Sequence, residues 1–231
     1  IFSSFFALDF SERSFRYQQR REPVNLDARM GRNKSYDRDA LIAEAVEIFR
    51  DHGFAGTSAE MLVQRLGVNR YSLYAEFGSK QGLFDAALQR YDEVAVERNF
   101  GPLEVPGAGL EEIRALLEFF GRAEQSPASG RGCLLCNTAV ELGPSDPSGA
   151  GFVQQYFGRV SQAFHAALAN AHASGELRPS VEPRAEAGFF TASVLGMFVM
   201  LRAKAPPTVV EDAARIAIEH LEALCLEPPS P

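Results

Sequence analysis

Apolar positions recur along this chain at intervals of three and four residues, the period of an amphipathic helix, and turn signals divide them into segments. Leu41, Ala45, Ile48 and Phe49 share one face of a segment spanning residues 37–52, which Gly53 closes. Thr57 and Glu60 stand three apart ahead of Met61, Leu62 and Leu66, the spacing of a capping box, so a second helix is predicted to start at Thr57. Gly67 tolerates positive φ, Val68 anchors the turn inward, and Asn69 can cap a third helix carrying Leu73, Tyr74 and Phe77. The core expected of this three-helix unit is Leu41, Ile48, Phe49, Phe54, Leu62, Leu66, Val68, Leu73 and Phe77. So small a core needs support, and the next helix can supply it.

That helix is predicted to be capped by Ser79 and to run through Leu83, Phe84, Ala87, Leu88 and Tyr91 towards Asn99, with residues 101–109, which include Pro102 and Pro106, ending it. Five more helices follow, over residues 110–123, 133–142, 152–174, 183–202 and 208–226. Phe152, Tyr156, Val160, Phe164 and Leu168 recur at strict four-residue intervals in the third of these. The fold class expected is all-α, an N-terminal three-helix helix-turn-helix domain and a C-terminal antiparallel helical body.

Two helices joined by a short glycine turn form the helix-turn-helix, whose second helix lies in the DNA major groove. The net charge of −7 argues against nucleic acid until its distribution is followed. Residues 1–80 carry 12 Lys and Arg against 11 Asp and Glu, and the rest carries 11 against 19. The acid is therefore confined to the part that need not touch DNA. Hydrophobic residues at 46% and charged residues at 23% describe an ordinary globular chain. No apolar run reaches membrane-spanning length; the longest, residues 188–201, holds Thr191 and Ser193 and stops at Arg202, so it reads as a buried helix and no membrane partner is expected. Cys133, Cys136 and Cys225 are too few for a secreted disulfide scaffold and point to a reducing cytoplasm.

The string TSAEMLVQRLGVNRYSLYAEFGSKQGLF, residues 57–84, resembles the DNA-binding region of TetR-family transcriptional regulators at Thr57, Gly67-Val68, Leu73-Tyr74, Phe77, Ser79-Lys80 and Leu83-Phe84. The resemblance implies a homodimeric repressor that binds a near-palindromic operator and is released by a small molecule. It also implies a helix-turn-helix domain over residues 30–79 and a ligand-binding and dimerisation domain over 80–227, with a tail at 228–231. Residues 1–29 differ from the rest: Phe2, Phe5, Phe6, Phe10 and Phe15 are interrupted by Asp9 and Glu12, a poor secretory signal. The chain begins without Met, and Met30 directly precedes the stretch where the resemblance starts, so 1–29 reads as an upstream extension, either mis-assigned coding sequence or a poorly ordered tail, the alternative being an aromatic segment that folds onto the body or a partner.

Expected DNA contacts follow from position. Arg32 and Lys34 form a basic arm ahead of the first helix, and Thr57 begins the second. Asn69, Arg70, Tyr71 and Ser72 open the recognition helix; Arg70 can bridge O6 and N7 of a guanine or hold a phosphate. Tyr74 and Lys80 occupy positions that grip phosphates in the family, Lys80 in a first helical turn where N–H groups also favour anions. Tyr71 and Val63 depart from the small residues usual in the family, and Tyr71 can meet a thymine methyl.

The stretch RGCLLCNTAVEL, residues 131–142, resembles a segment of a TetR subgroup whose members sense electrophiles, oxidants or small unsaturated acids. Cys133 follows Gly132 at a predicted helix start, where free N–H groups and Arg131 lower a thiol pKa, and Cys136 is one turn on as a resolving thiol. The other reading is two small core residues among Leu134, Leu135 and Ala139. A zinc site needs more ligands than these, so no metal and no cofactor is expected. Candidates for lining an apolar effector site are Phe119, Phe120, Cys133, Cys136, Asn137, Phe157, Phe164, Phe190 and Met197. Gly188, Ala192 and Gly196, every fourth residue, together with Ile216, Leu221 and Leu224 on the last helix, offer an isologous dimer face. Outside this reading stand a dithiol oxidoreductase using Cys133 and Cys136, which lacks the strand-helix context, and a helical scaffold without a DNA role.

Overall fold

A computed structural model of the chain describes residues 36–122, 130–142 and 147–226. The expected extension at 1–29, the basic arm with Arg32 and Lys34, and the tail at 228–231 lie outside the described residues.

Helix α1 (Arg38–His52) starts at Asp37, whose carboxylate accepts from the Asp39 N–H at 2.9 Å. Its buried stripe of Leu41, Ile42, Ala45, Val46, Ile48 and Phe49 faces the following helices. Helix α2 (Ala59–Leu66) is capped by Ser58, whose hydroxyl accepts from the Met61 N–H, and not by Thr57 as predicted. The Thr57 hydroxyl instead donates to the Gly53 carbonyl at 2.6 Å and the residue is fully buried, so it closes the turn behind α1 and is withdrawn from the DNA contacts. Gly67 takes φ +66 at the end of α2, the left-handed turn conformation that a side chain disfavours. Asn69 then caps α3 (Arg70–Phe77) by accepting from the Ser72 N–H at 2.8 Å.

Leu62 and Leu73 meet Ile48 and Phe49 in the core, while Phe54, Leu66, Val68 and Phe77 pack at its margin. Support comes from α4 (Lys80–Tyr91), capped by Ser79 as predicted, which inserts Leu83, Phe84, Ala87 and Leu88. Phe84 contacts both Phe49 and Phe54, with ring centres 4.8 Å and 4.9 Å away. Arg38 and Tyr36 both bind Glu76, tying the start of α1 to the end of α3.

The helix beginning at Ser79 does not stop near Asn99. It passes through a π-helical turn at Asp92–Val96 and continues as α5 (Glu97–Glu104), with Pro102 inside the last turn. Pro102 leaves the carbonyl four residues back without its helical donor, and the helix ends two residues later at Glu104. Arg159, from a later helix, binds Asp92, Glu97 and Glu104 across this stretch.

The body continues with α6 (Leu110–Gly121), α7 (Leu134–Glu141), α8 (Pro147–Ala173), α9 (Pro183–Arg202) and α10 (Pro207–Ala223). Helix α8 begins five residues before the predicted 152, and α10 ends three before 226. Leu226 N–H donates to the Glu176 carbonyl and Arg178 N–H to that of Leu224, which docks the end of the chain against the turn after α8. Tyr156, Val160, Phe164 and Leu168 form the buried stripe of α8 that their spacing predicts. Phe100 of α5 joins them through contacts with Tyr156, Phe164 and Phe120.

Helix α9 is long and apolar enough to cross a membrane by length and composition, yet one of its faces is packed inside the protein. Ala187, Phe190, Val194, Met197, Phe198 and Leu201 are buried in the body. Its opposite face is open: Gly188 and Gly196 have nothing near where a side chain would begin, and Ala192, Phe189, Val199 and Met200 are exposed. Helix α10 adds Val209 and Ile216, the latter 50% exposed. Leu221 and Leu224, predicted for the same outer face, are instead 1% and 3% exposed, because they fill the seam inside the protomer.

Candidate nucleic-acid interface

Helix α3 presents its first turn outward. Tyr71 is 85% exposed, and Asn69 and Arg70 are exposed beside it. Ser72 is half-buried, its N–H taken by the Asn69 cap. The Arg70 guanidinium stacks over the Tyr74 ring at 5.5 Å and pairs with Glu60 of α2 at 3.4 Å. Both ends of that pair are open to solvent, so it orients Arg70 without consuming much of its charge. A backbone N–H, the Ser58 hydroxyl and Arg70 together hold the Glu60 carboxyl below its ordinary range. Tyr74 is half-buried, apolar body inward and supporting Arg70.

Lys80 has another employment than the phosphate grip predicted for it. Its Nζ donates to the carbonyls of Phe54 and Thr57, at 2.9 and 3.0 Å, and sits 4.1 Å from the centre of the Phe54 ring. It therefore ties the start of α4 to the turn before α2.

On its body side this reading unit meets α7 and α9. Arg131 binds Glu47 and Asp51 of α1. Arg202, at the end of α9, donates to the carbonyls of Arg50 and Asp51, the acceptors left free at a helix C-terminus. Arg50 returns a bond to the Gly132 carbonyl and lies over the Tyr91 ring.

Next to that junction is the thiol cluster. Cys133 occupies the N-cap position of α7, as predicted, and is 2% exposed. Its sulfur lies 3.5 Å from the Tyr156 hydroxyl, and that of Cys136 lies 3.9 Å from the same oxygen. Burial pushes the Cys133 thiol up, but hydrogen bonds from Cys136, Tyr156, the Cys136 N–H and Tyr91 outweigh it and bring the thiol down to about 6. Cys136 moves the opposite way, because its proton is held against the Cys133 sulfur and it is buried. Burial, then the Cys133 charge, raises both Tyr91 and Tyr156, so both remain O–H donors. Arg131, credited at first with lowering the thiol, is engaged instead by the carboxylates of α1.

The residues proposed to line an effector site are joined through one aromatic core. Phe120, Phe164, Phe190 and Met197 are fully packed, Phe119, Asn137 and Phe157 half-buried. The Asn137 amide donates to the Arg131 carbonyl at 2.9 Å. A groove of about 370 Å³ between α6 and α10, with Glu118, Arg122, Glu211 and Ile218 among its walls, shares none of these residues. Among the described residues no group of three or more His, Cys, Asp or Glu is placed to hold a metal.

Sequence reasoning passed over Tyr91 and Tyr156 as partners of the thiol and Glu141 as a contact to the reading unit. Tyr156 carried the helical period of α8 and was read as packing, and an aromatic stripe gives no sign of which hydroxyl meets a sulfur.

A capped recognition helix standing outward on a three-helix unit, supported by a long connecting helix and an all-α body, defines a helix-turn-helix DNA-binding regulator. Residues 41–87 match the family described as bacterial regulatory proteins, tetR family, and residues 109–217 match the tetracyclin repressor-like C-terminal domain. The HTH-type transcriptional regulator YezE of Bacillus subtilis (strain 168) is 30% identical over 194 residues, 84% of this chain and 100% of that protein. The HTH-type transcriptional repressor ComR of Escherichia coli (strain K12) is 29% identical over 178 residues, 74% of this chain and 82% of ComR. The chain belongs to the TetR family of transcriptional regulators. The fold is also that of solved members. A cysteine mutant of CifR complexed with a 26-bp operator DNA superposes with TM-score 0.72 at 24% identity, over 81% of this chain and 98% of that one. The reduced form of Escherichia coli NemR gives 0.70 at 22% identity, over 84% and 98%.

Proposed function

We propose that the chain is a cytoplasmic, homodimeric repressor, not an enzyme, that binds a near-palindromic operator and is released by a small molecule bound in its body. In this reading residues 30–79 are the DNA-reading domain and 80–227 the effector and dimerisation domain. The observation that carries it is the outward first turn of α3, where Arg70 and Tyr71 stand exposed beside the Asn69 cap while Leu73 anchors the helix beneath them. The open face of Gly188, Ala192, Gly196 and Ile216 supports an isologous pairing that would place two such helices about a two-fold axis. The CifR complex with operator DNA and the repressor ComR add precedent for operator binding and for repression. An effector that favours a second arrangement of α4 would alter the half-site separation, provided it binds the two arrangements unequally. Selection of bound DNA from a random pool with the full chain tests this. Two related half-sites in inverted order are expected, and a pool that stays unenriched contradicts the reading.

A second reading is favoured by one observation, the Cys133 sulfur at the N-cap of α7, 3.5 Å from the Tyr156 hydroxyl with Cys136 one turn on, a setting whose hydrogen bonds lower the thiol. A thiolate at neutral pH can add to an activated alkene, forming a C–S bond while the adjacent carbon takes a proton from water. The effector would then be covalent. Operator release by such an electrophile, absent in Cys133→Ser, is the expected result; equal release from both proteins overturns it.

A further inference from the structure

The turn between α1 and α2 is held from two directions. From the first turn of α4, Lys80 binds the carbonyls of Phe54 and Thr57. From the body, Glu141 at the end of α7 accepts from the backbone N–H groups of Phe54 at 3.0 Å and Ala55 at 2.6 Å. The fit is close: a Cβ on Gly53, which takes φ +73, would lie 2.5 Å from one Glu141 carboxylate oxygen. These two N–H groups follow the end of α1 and have no helix partner of their own, so a bidentate carboxylate is a specific receptor for them.

The polar attachments made from the region of α7 and α9 by Arg131 and Arg202 end on α1. Glu141 reaches past α1 to the turn that leads into α2 and the recognition helix. Rotation of the reading unit about the α1 attachments would therefore be checked at Glu141, some distance off that axis. Helix α7 is eight residues long, about 12 Å at the standard rise, and carries Cys133 at one end and Glu141 at the other.

Resting on the proposed role as a dimeric operator-binding protein, we infer that Glu141 is a positioning residue that sets operator spacing: its carboxylate latches the turn at Phe54 and Ala55 and fixes the angle at which each recognition helix is presented. It contributes to discrimination between half-site spacings more than to contact with either half-site. Loss of the latch leaves each reading unit folded but free to swing.

The test uses the full chain as wild type, Glu141→Ala and Glu141→Gln. The probes are the operator recovered by selection, the same half-sites with one base pair inserted or removed, and a single half-site. The wild-type preference for its own spacing is expected to fall about fivefold in Glu141→Ala, the equivalent of a typical hydrogen-bond contribution. Glu141→Gln, whose amide oxygen can accept only one of the two N–H groups, falls between. Half-site binding stays at the wild-type value, and amide hydrogen exchange at Phe54 and Ala55 speeds up while that of Leu62 and Leu73 does not. An unchanged spacing preference in both variants overturns the inference, as does unchanged exchange at Phe54 and Ala55. If Glu141→Ala unfolds, the Gln variant decides by the same two readouts. Failure of wild type to select any DNA would instead count against the proposed function, while exchange at the two amides still reports on the latch.

Discussion

The Lys80 ammonium and Phe54 are joined twice, by a hydrogen bond to the Phe54 carbonyl at 2.9 Å and by the approach of the charge to within 4.1 Å of the centre of the ring. The lysine thus holds the turn before α2 by both its polar and its aromatic side. Charge-assisted hydrogen bonds and a cation–π contact contribute about 1 to 3 kcal/mol together at a half-buried site. Lys80→Ala is expected to lower stability by about that much in urea unfolding, and operator affinity with it. Lys80→Met, which keeps the apolar stem, loses the same carbonyl bonds and is expected to recover little. An unchanged unfolding midpoint in Lys80→Ala would return this lysine to a purely DNA-facing role.

Arg70 is oriented by Glu60 and Tyr74 at the edge of the exposed first turn of α3. If it reads a guanine, Arg70→Ala costs about 1 to 3 kcal/mol of operator affinity and relaxes the base preference at one position per half-site. Arg70→Lys restores charge but not the bidentate fork, so the preference remains relaxed. A uniform loss across all sequences, with a shallower salt dependence, would make it a phosphate contact instead. Competition binding against single-base operator variants separates the two.

The thiol cluster has a pH signature. Cys133 sits at about 6 where an ordinary thiol sits near 8.5, so its rate of alkylation by a small maleimide should rise between about pH 5 and 7 and level off above. The rate itself stays low, because the sulfur is 2% exposed and must wait for local opening. The same shift acts on stability: the folded-state pKa is depressed, so the contribution is fully present above the unfolded value near 8.5 and is lost as pH falls through about 6. Cys133→Ala should remove that pH-dependent component of the melting curve, and a rate that keeps climbing to pH 9 contradicts the assignment.

The open face of α9 and α10 gives opposite expectations for neighbouring positions. Ala192→Glu or Ile216→Glu places charge on the exposed apolar face and is expected to yield folded monomers in analytical ultracentrifugation, with weakened operator binding. Leu221→Glu places charge in the protomer seam, where Leu221 is 1% exposed, and is expected to unfold the chain. Dimers that persist in both surface variants would move the interface elsewhere.

Much of this architecture is legible in the sequence where a local rule acts alone. Asn69, Ser79 and Pro183 mark helix starts because a cap or a proline at the first turn depends on the nearest few residues. Thr57 misled because two adjacent hydroxyl residues both suit a cap, and tertiary packing chose Ser58 while Thr57 turned inward to Gly53. Pro102 did not end its helix because the break falls where the helix is already finishing. Leu221 and Leu224 lie on the same broad apolar stripe as Ile216, and a stripe does not say which part faces the protomer and which a partner. The partners of Lys80 and Glu141, and Tyr156 beside Cys133, lie 20 or more residues away in sequence, at separations where periodicity carries no information. Tyr71 and Arg70 were legible as surface because the helix that bears them was legible.

The central claim is that α3 delivers sequence-specific DNA binding by a dimer. It is tested most directly by fluorescence anisotropy titration of the selected operator with wild type and with the double variant Arg70→Ala, Tyr71→Ala, at fixed salt and with stoichiometry measured. An even number of chains per operator, at least two, is expected, with loss of specific over non-specific affinity in the double variant at unchanged stability. One chain per operator, or a double variant that discriminates the operator as well as wild type, would contradict it.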